Sequence, residues 1–537
     1  MATQWTAAIA ECKSAGHGLG IRAPRFAWIA VLCGCTTSYR AEFVQPTAVA
    51  NVNKTDQFLK CHMRNGDVYV LEKWQIDSKQ ARVLGVGLRY NAQREAVSAG
   101  NQSVALADIE LFETNDPRSV TRSGIAVMAV VTGASLAVTA LCLANPKACF
   151  GSCPTFYADD GTGLSLQAEG FSSSIARAFE STDVDAMWTA RPKNGTLDLL
   201  MTNDALETHL VDSVRVLTLQ RPPGGRVLRA GDRFFPATHI EPPQACRSDA
   251  GDCLSAVAAV DARSYLSLTD GKDLASKETV ELEFPQAHGP AGIVIAARNS
   301  LLNTFLFYQA LAYMGRSAAD WYMRFDHAPK SQLGALGGIG RLLGDIEVSI
   351  RQPDGTYAVA GSFSEVGPIA REVQLIPLPE AVASLPARRA STKGDDPLVV
   401  RLTMTRGNWK VDHVGLAELG APLQPTYIEP SSVSENGKPA PEALAKLLAT
   451  GVHLATYPGD AYTLHFLLPP GDQELFLESR GYYYEWIRDS WLPEQDQFRL
   501  LRMFLDPAGA MQRLAPEYKR IEGDMERVFW SSRVGHR

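Results

Sequence analysis

The feature that most constrains this chain is an uncharged apolar run at residues 124–144, which is followed shortly by the sequence Cys-Phe-Gly-Ser-Cys-Pro. At the rise of an α-helix, a run of this length covers the hydrocarbon core of a bilayer. We therefore expect one membrane helix here, and a buried helix of the body is the alternative. The many Ala, Gly, Ser and Thr residues would let a second helix approach closely.

A second targeting signal lies upstream, where Arg22 and Arg25 precede a short apolar stretch that ends at Cys35. A basic start, a short apolar run and small residues before a cysteine are typical of a secretion signal, which is too short to span a bilayer. The sequence Leu-Cys-Gly-Cys at 32–35 resembles a bacterial lipobox. The resemblance implies a lipoprotein in which Cys35 is lipidated and becomes the mature N-terminus. A buried strand or helix is the alternative interpretation.

These two segments disagree about orientation. If Cys35 is exported and 124–144 crosses the membrane, the body after it faces the cytoplasm. Arg118 and Arg122 before the run, against Lys147 after it, instead favour a cytoplasmic N-terminal flank. If the stretch that ends at Cys35 is not an export signal, or if 124–144 does not span the membrane, the large body lies outside the cytoplasm. We therefore expect a cell-envelope protein with its body outside the cytoplasm and membrane lipid among its partners.

The first close pair of cysteines is Cys149 and Cys153. Its spacing differs from the Cys-x-x-Cys of redox enzymes, and Pro154 favours a fixed turn over a reactive helix start. We expect a disulfide, and the alternatives are a free pair or a redox or metal-binding role. The stretch from Cys149 to Tyr157 also resembles a Cys-Phe-Gly-x-Cys-Pro-x-Tyr motif of uncharacterised bacterial envelope proteins. That resemblance covers a short stretch and implies no known activity.

The second close pair is Cys246 and Cys253, which bracket a polar loop. In an oxidising compartment such a pair closes a turn, whereas in a reducing one the thiols stay free or bind metal. Asp249 and Asp252 raise the alternative of a cation-binding loop. Because the spacing of a calcium loop and its terminal Glu are missing, we favour the disulfide-closed turn.

Alternating apolar runs separated by turn residues predict an α+β, β-rich fold, with antiparallel sheets or a sandwich in the body and helices at the C-terminal end. A chain of 537 residues exceeds one usual hydrophobic core. We predict a leader at 1–35, a small β-rich domain at 36–120, the membrane segment at 124–144, a β-rich region with the cysteine pairs at 147–290, a helix plus β-hairpin region at 291–395, and a β-rich region closed by helices at 396–537.

Within the body, turn residues predict two hairpins and a further β pair, at 346–363, 397–419 and 461–479. Apolar residues at three- and four-residue spacing predict a helix from Leu301 to Tyr313 and two helices in 494–533. Pro507 and Pro516 are expected to mark the break between those last two helices.

An aromatic cluster near the C-terminus is a candidate binding surface, because Tyr and Trp combine a large contact area with a polar tip. Alternatively, these side chains pack the strands against the final helix. The members are Tyr482, Tyr483, Tyr484, Trp486 and Trp491.

Composition and motifs narrow the function. A net charge of −7 gives no basic field, so nucleic acid is not an expected partner. His-Glu-x-x-His, Gly-x-Ser-x-Gly and P-loop motifs are absent from the sequence, so no catalytic residue, cofactor or metal is assigned. His453, Asp460 and His465 are the nearest to a polar constellation, and we interpret them as surface residues.

The hypothesis is therefore a membrane-attached envelope protein that acts as a binding or scaffold component, with another envelope protein as a possible partner and with its oligomeric state open. The alternative is a thiol-active envelope protein that uses Cys149 and Cys153.

Overall fold

A computed structural model describes residues 37–119 and 154–532, apart from gaps at 45, 57, 64–66, 91–95, 206, 262, 288, 328–337, 365–366, 380–396 and 488. The leader with Cys35, the apolar run at 124–144 and the Cys149/Cys153 pair lie outside these residues. None of the described helices combines the length and the apolar character that crossing a bilayer requires.

The N-terminal part is one antiparallel sheet, as the alternating runs in 36–120 predict. Its strands are β1 Thr37–Val44, β2 Phe58–Met63, β3 Val68–Asp77, β4 Arg82–Tyr90, β5 Ala96–Ala105 and β6 Ile109–Ser119. They are ordered β1-β6-β2-β3-β4-β5. One face of this N-terminal sheet buries a small core that includes Leu59, Cys61, Leu71 and Phe112.

The body is also β-rich. Its strands are β7 Thr155–Asp159, β8 Leu164–Glu169, β9 Ser181–Ala186, β10 Thr196–Thr202, β11 Glu207–Gln220, β12 Arg226–Ala230, β13 Arg233–Glu241, β14 Ala245–Ser248, β15 Gly251–Asp252, β16 Lys277–Phe284, β17 Ala291–Asn299, β18 Ile346–Arg351, β19 Tyr357–Phe363, β20 Glu372–Pro377, β21 Leu398–Thr405, β22 Trp409–Leu419, β23 Thr426–Ile428, β24 Ser432–Glu435, β25 Lys438–Pro439, β26 Leu454–Thr456, β27 Ala461–Leu467 and β28 Gln473–Glu485.

The described body strands form four antiparallel sheets. Sheet 2 is ordered β25-β24-β27-β10-β7-β8, and sheet 3 is ordered β23-β11-β28-β9 with β26 beside β11. Sheet 4 is ordered β12-β13-β22-β17-β20, and sheet 5 is ordered β15-β14-β16-β21-β18-β19.

The four sheets pack in layers. Sheets 2 and 3 share one core, sheets 3 and 4 share a second, and sheets 4 and 5 share a third. Along β11, Val214 and Val216 contribute to the core with sheet 2, whereas Leu217 and Leu219 contribute to the core with sheet 4. Because the inner sheets are covered on both faces, their strands are apolar on both sides, as in the AGIVIAA sequence of β17.

The helices gather mainly at one side of this stack. They are α1 Leu254–Val257, α2 Leu302–Met314, α3 Ala318–His327, α4 Gly338–Leu343, α5 Pro441–Leu448, α6 Gln497–Leu505 and α7 Pro507–Ser532. Buried side chains of α2, α3, α6 and α7 form one helical core. The predicted helix in 301–313 and the two C-terminal helices are confirmed by α2, α6 and α7.

The expected break at Pro516 is wrong, because α7 begins at Pro507 and continues through Pro516. Proline cannot donate a hydrogen bond to the carbonyl four residues before it, which here belongs to Gln512. Both residues are exposed, so water can satisfy that carbonyl and the helix need not end.

Two of the three predicted β pairs are also wrong. The hairpin of β18 and β19 is confirmed, since these strands pair directly. Strand β21 instead pairs with β16 and β18 in sheet 5, while β22 pairs with β13 and β17 in sheet 4. Likewise, β27 lies in sheet 2 and β28 in sheet 3. The turn at Gly407, with φ of 70°, reverses the chain and also carries it from one layer to the next.

The predicted regions 147–290, 291–395 and 396–537 interleave in these sheets. Strand β11 from the first region pairs with β28 from the third, and β17 from the second pairs with β22 from the third. The sheets of the body therefore extend across the predicted boundaries. A single sequence shows which segments alternate, but not which distant segment each one meets.

Candidate functional site

A compact polar cluster lies at the edge of sheet 3. Glu180 precedes β9, Asp212 occupies a bulge in β11, His453 precedes β26, and Arg480 lies in β28. His453 Nε2 is 3.1 Å from Glu180 Oε1, and Arg480 Nε is 3.4 Å from Asp212 Oδ2 and 3.6 Å from Glu180 Oε1. The hydrogen bond from His453 holds the pKa of Glu180 below its ordinary value, against the opposing effect of burial.

Glu180, Asp212 and His453 place one possible ligand atom each within 4.8 Å of one another. Such a group is a conceivable metal site. However, the Arg480 guanidinium already lies between the two carboxylates, and its positive charge opposes a cation there. The arrangement therefore fits an ion-pair network that holds the bulge of β11 against β9 and β28.

The sequence-predicted constellation of His453, Asp460 and His465 does not form one site. His453 pairs with Glu180, while Asp460 Oδ2 accepts a hydrogen bond from the backbone N–H of Tyr457 at 2.8 Å. His465 Nδ1 lies 2.6 Å from Asp198 Oδ1 at the surface. His453 and Asp460 are buried, so the interpretation of all three as surface residues is wrong for those two.

Three of the five residues of the predicted aromatic binding surface are buried, and Tyr484 and Trp486 are half-buried. Tyr482, Tyr483 and Trp491 are 0%, 6% and 2% exposed. Along β28, Tyr482 and Tyr483 point to opposite faces of sheet 3, and both faces are covered. The alternative, in which these side chains pack the strands against the final helix, fits Trp491, which lies in the helical core, whereas Tyr482 and Tyr483 pack among strands.

The polar groups of Tyr483, Tyr484 and Trp486 make hydrogen bonds within the protein. Tyr483 Oη donates to the carbonyl of Ser172 at 3.2 Å, and Tyr484 Oη donates to Asp326 Oδ2 at 2.8 Å. Trp486 Nε1 donates to Thr208 Oγ1 at 2.8 Å. The ring of Trp491 lies 5.1 Å from that of Tyr308 in α2.

Cys246 and Cys253 form a disulfide with an S–S distance of 2.03 Å. The bridge closes the hairpin of β14 and β15 and packs in the core between sheets 4 and 5. The carboxylates of the loop have protein partners, since Asp249 pairs with Arg406 at 3.2 Å and Asp252 accepts from the N–H of Leu254 at 3.0 Å. These contacts favour the closed turn over a cation-binding loop.

The described cysteine outside this bridge is Cys61, which is buried in the N-terminal sheet. Burial raises the pKa of its thiol to about 12. Because the thiolate is the reactive form, Cys61 is a poor nucleophile in the folded protein.

An exposed apolar face that the sequence reasoning missed lies on α6. Asp496 caps this helix by accepting hydrogen bonds from the N–H groups of Phe498 and Arg499, both at 3.0 Å. Leu500 and Met503 face the helical core. The opposite side carries Phe498, Leu501 and Leu505, which are 73%, 49% and 76% exposed. We call these three residues the apolar face of α6.

The apolar face of α6 is held rigidly. Gln497 Nε2 donates to Ser317 Oγ at 2.7 Å and to the carbonyl of Met314 at 3.2 Å, which fastens α6 to the end of α2. Gln497 Oε1 in turn accepts from Trp321 Nε1 of α3 at 3.0 Å. The apolar face therefore belongs to a helix with fixed neighbours.

The surroundings of this face are aromatic and apolar and contain charges of both signs. Met323 of α3 is 58% exposed, and the Arg324 guanidinium lies 5.4 Å from the centroid of the Trp321 ring. Helix α6 contains Arg499 and Arg502, and Asp496 and the exposed Asp506 flank its two ends. The sequence FRLLRMFL has more apolar residues than a one-sided stripe needs for burial, but it does not show which of them face solvent.

The fold and this surface define a layered β-rich protein with a helical side that exposes apolar and charged groups. No protein-family model matches the chain, and no curated protein matches it. Similar solved structures include a β-porphyranase of glycoside hydrolase family 86 from the human gut bacterium Bacteroides plebeius. Its identity is 9%, the match covers 44% of this chain and 37% of that one, and the TM-score is 0.14.

A second similar structure is the infectious bursal disease virus VP2 subviral particle. Its identity is 9%, the match covers 93% of each chain, and the TM-score is 0.11. At these TM-scores, neither structure carries an argument about fold or activity.

Proposed function

We propose that this chain is a membrane-attached protein of a bacterial cell envelope, that its body lies outside the cytoplasm, and that it acts there as a binding or scaffold component. In this proposal, residues 124–144 are the one membrane helix, and the layered sheets of the body pack as sandwiches. The uncharged run at 124–144 and the lipobox-like stretch that ends at Cys35 support attachment.

The Cys246–Cys253 disulfide supports a location outside the cytoplasm. Disulfides form and persist in oxidising compartments and are rare where thioredoxin and glutathione keep thiols reduced. Because both cysteines are buried against the core of sheets 4 and 5, the bridge is part of the folded body.

The binding role rests on one observation, the exposure of Phe498, Leu501 and Leu505 on a single side of α6. Single exposed apolar residues are normal, but a contiguous group of large ones marks an interaction site in most soluble proteins. The same helix buries Leu500 and Met503, so the exposed group is surplus to folding.

The location is tested by treating intact spheroplasts with a protease that cannot cross the inner membrane. We expect digestion of the body at residues after Pro154, detected by peptide mass spectrometry, while a cytoplasmic marker protein stays whole. Survival of the body in intact spheroplasts, with digestion only after lysis, would overturn the location.

The binding role is tested by hydroxyl-radical labelling of the full chain in intact cells. Leu448 on α5 and Leu467 on β27 are matched controls, because they are 50% and 64% exposed and carry the same side chain as Leu501 and Leu505. If the apolar face of α6 is occupied, Leu501 and Leu505 oxidise several-fold less than the controls. If Leu501 and Leu505 are oxidised as much as Leu448 and Leu467, the apolar face of α6 is exposed to solvent in the cell, and the proposed binding role is wrong.

A further inference from the structure

We propose that the N-terminal sheet and the body lie on the same, outer side of the membrane, so that residues 124–144 contact the bilayer from that side without crossing it. This inference rests on the proposed function and specifies the orientation of its membrane segment. It is carried by a contact between the two described parts of the chain that precede and follow this segment.

One corner of the N-terminal sheet contacts the body. The ring of His62 in β2 lies 5.7 Å from that of Trp486 and 6.3 Å from that of Tyr457, measured between centroids. Trp486 directly follows β28 and Tyr457 directly follows β26, so both rings lie beside strands of sheet 3. His62 is 8% exposed. The contact therefore buries a polar side chain of one part against two aromatic rings of the other.

The burial on this face of the N-terminal sheet is local. Val68 lies opposite His62 in the ladder of β2 and β3, so it points to the same face, and it is 6% exposed. Phe58, Val86 and Leu88 occupy the same face at other positions and are 36%, 44% and 39% exposed. The face is therefore buried at the corner that meets the body and open elsewhere, as expected when two folded parts dock.

A membrane crossing between the two parts is incompatible with this contact. Strand β6 ends at Ser119 before the run, and the described body begins at Pro154 after it. The hydrocarbon core of a bilayer is about 30 Å thick, and the run is long enough to cross it only once. One crossing would place His62 and Trp486 on opposite sides of that core. Because the two rings are in contact, the run does not cross.

The leader and the run also start at one corner of the N-terminal sheet. Thr37 pairs with Ser119 at the end of the ladder of β1 and β6. Cys35 precedes Thr37 by two residues, and the run begins five residues after Ser119, so extended connections reach about 7 Å and about 18 Å. A lipid on Cys35 and the run at 124–144 therefore reach the same patch of membrane. Because one acyl chain alone attaches a protein only marginally, the run supplies the second signal that stable anchoring requires.

The test labels native lysines in intact spheroplasts with an amine reagent that cannot pass the inner membrane, and reads each site by peptide mass spectrometry. Lys79, between β3 and β4, reports on the N-terminal sheet, and Lys438 in β25 reports on the body. Both lysines are exposed, so neither needs a substitution. We expect each of them to be labelled equally in intact and in lysed spheroplasts, while a cytoplasmic marker protein is labelled only after lysis.

The outcomes separate this inference from the proposed function. If Lys438 is labelled in intact spheroplasts and Lys79 only after lysis, the run crosses the membrane, and the inference is overturned while the proposed location of the body stands. If Lys79 is labelled in intact spheroplasts and Lys438 only after lysis, both are overturned. Protection of both lysines until lysis would overturn the outer placement and with it the proposed location, because the two parts would then share the inner side.

Discussion

The imidazole of His62 in the N-terminal sheet stacks on the indole of Trp486 in the body, with 5.7 Å between ring centroids and an angle of 25° between ring planes. His62 Nε2 also lies 2.9 Å from Glu113 Oε2, and Trp486 Nε1 donates to Thr208. The stacking of His62 on Trp486 therefore connects the N-terminal sheet to the body. His62 is held on one side by its hydrogen bond with Glu113, and Trp486 on the other side by its hydrogen bond to Thr208.

Replacing Trp486 should loosen this junction. In Trp486→Ala the ring stacked on His62 is lost, which weakens the junction by about 1–3 kcal/mol, and the hydrogen bond to Thr208 is lost within the body. Reaction of His62 with diethyl pyrocarbonate, read by mass spectrometry, should accelerate, while the melting temperature of the body falls by only a few degrees. Trp486→Phe keeps an aromatic ring, so its His62 should react faster than in the parent and more slowly than in Trp486→Ala. If His62 reacts at the same rate in Trp486→Ala as in the parent, the stacking does not hold the junction.

Acid should weaken the N-terminal sheet through Glu113. Burial by itself raises the pKa of this carboxyl, but the hydrogen bond from His62 and the nearby Lys60 outweigh it and lower the pKa from 4.5 to about 2. Because the folded pKa lies below the unfolded one, the ionised group stabilises the fold above pH 4.5. That stability is lost as the pH falls towards 2.

The variant Glu113→Gln should therefore cost the N-terminal sheet about 2–3 kcal/mol at neutral pH, and the difference from the parent should vanish near pH 2. The measurement is the urea midpoint of peptides from β2 and β6 by hydrogen-exchange mass spectrometry. Glu72→Gln, at an exposed position of β3, is the control and should change little. If the difference in stability between Glu113→Gln and the parent stays constant from neutral pH to pH 2, the ionised Glu113 does not stabilise the sheet.

A rise in pH should lower the stability of the body because of Glu372. This side chain is 3% exposed between sheets 3 and 4, where its Oε2 accepts from the N–H of Ala186 and its Oε1 lies 3.8 Å from Arg229. Burial raises the pKa of Glu372 to about 8, and the nearby Asp183 carboxyl adds to the rise, although Arg229 opposes it. The folded state therefore holds a proton that the unfolded state releases, and stability falls as the pH rises from about 4.5 to 8.

Glu372→Gln mimics the protonated acid and should remove most of this slope. The variant should match the parent near pH 4.5 and exceed it at pH 9 by on the order of 3 kcal/mol in urea unfolding. Glu418→Gln, at an exposed position of β22 in the same sheet, serves as the control. A parent whose stability is flat between pH 5 and 9 would contradict this prediction.

Removing the disulfide should destabilise the body. Cys246 and Cys253 are seven residues apart, and closing so short a loop contributes about 2–3 kcal/mol. We expect Cys246→Ala, Cys253→Ala to melt a few degrees below the parent, and reductant to lower the parent to the same temperature. Non-reducing peptide maps of protein taken from cells should contain the linked pair. Finding both cysteines as free thiols there would refute the bridge and weaken the case for an oxidising compartment.

The sequence predicted much of the local structure. Alternation located strands such as β3 and β18, and helical spacing located α2, α6 and α7. Pairing was harder, because β21 and β22 alternate in the manner of a hairpin yet enter different sheets. Local propensity sets the conformation of each strand, whereas its partner depends on which distant segment covers it.

The sequence predicted the candidate site less well than the local structure, because it does not show which side chains the fold buries. Tyr482, Tyr483 and Trp491 have the composition of a recognition surface, but the covered faces of sheet 3 enclose the two tyrosines and the helical core encloses Trp491. On α6, Phe498 and Leu505 appear in sequence to be ordinary core residues, because nothing local shows which side of a short helix faces solvent.

The long ladder between β11 and β28 has a consequence for how the molecule is made. It joins residues 207–220 to residues 473–485, so the central layer of the body cannot close until nearly the whole chain has been synthesised. Contacts of such sequence separation fold slowly. The N-terminal sheet, whose pairings all fall within 37–119, can form first. Under the proposal that the body lies outside the cytoplasm, late closure of this layer would keep the body unfolded, as passage through a translocation channel requires.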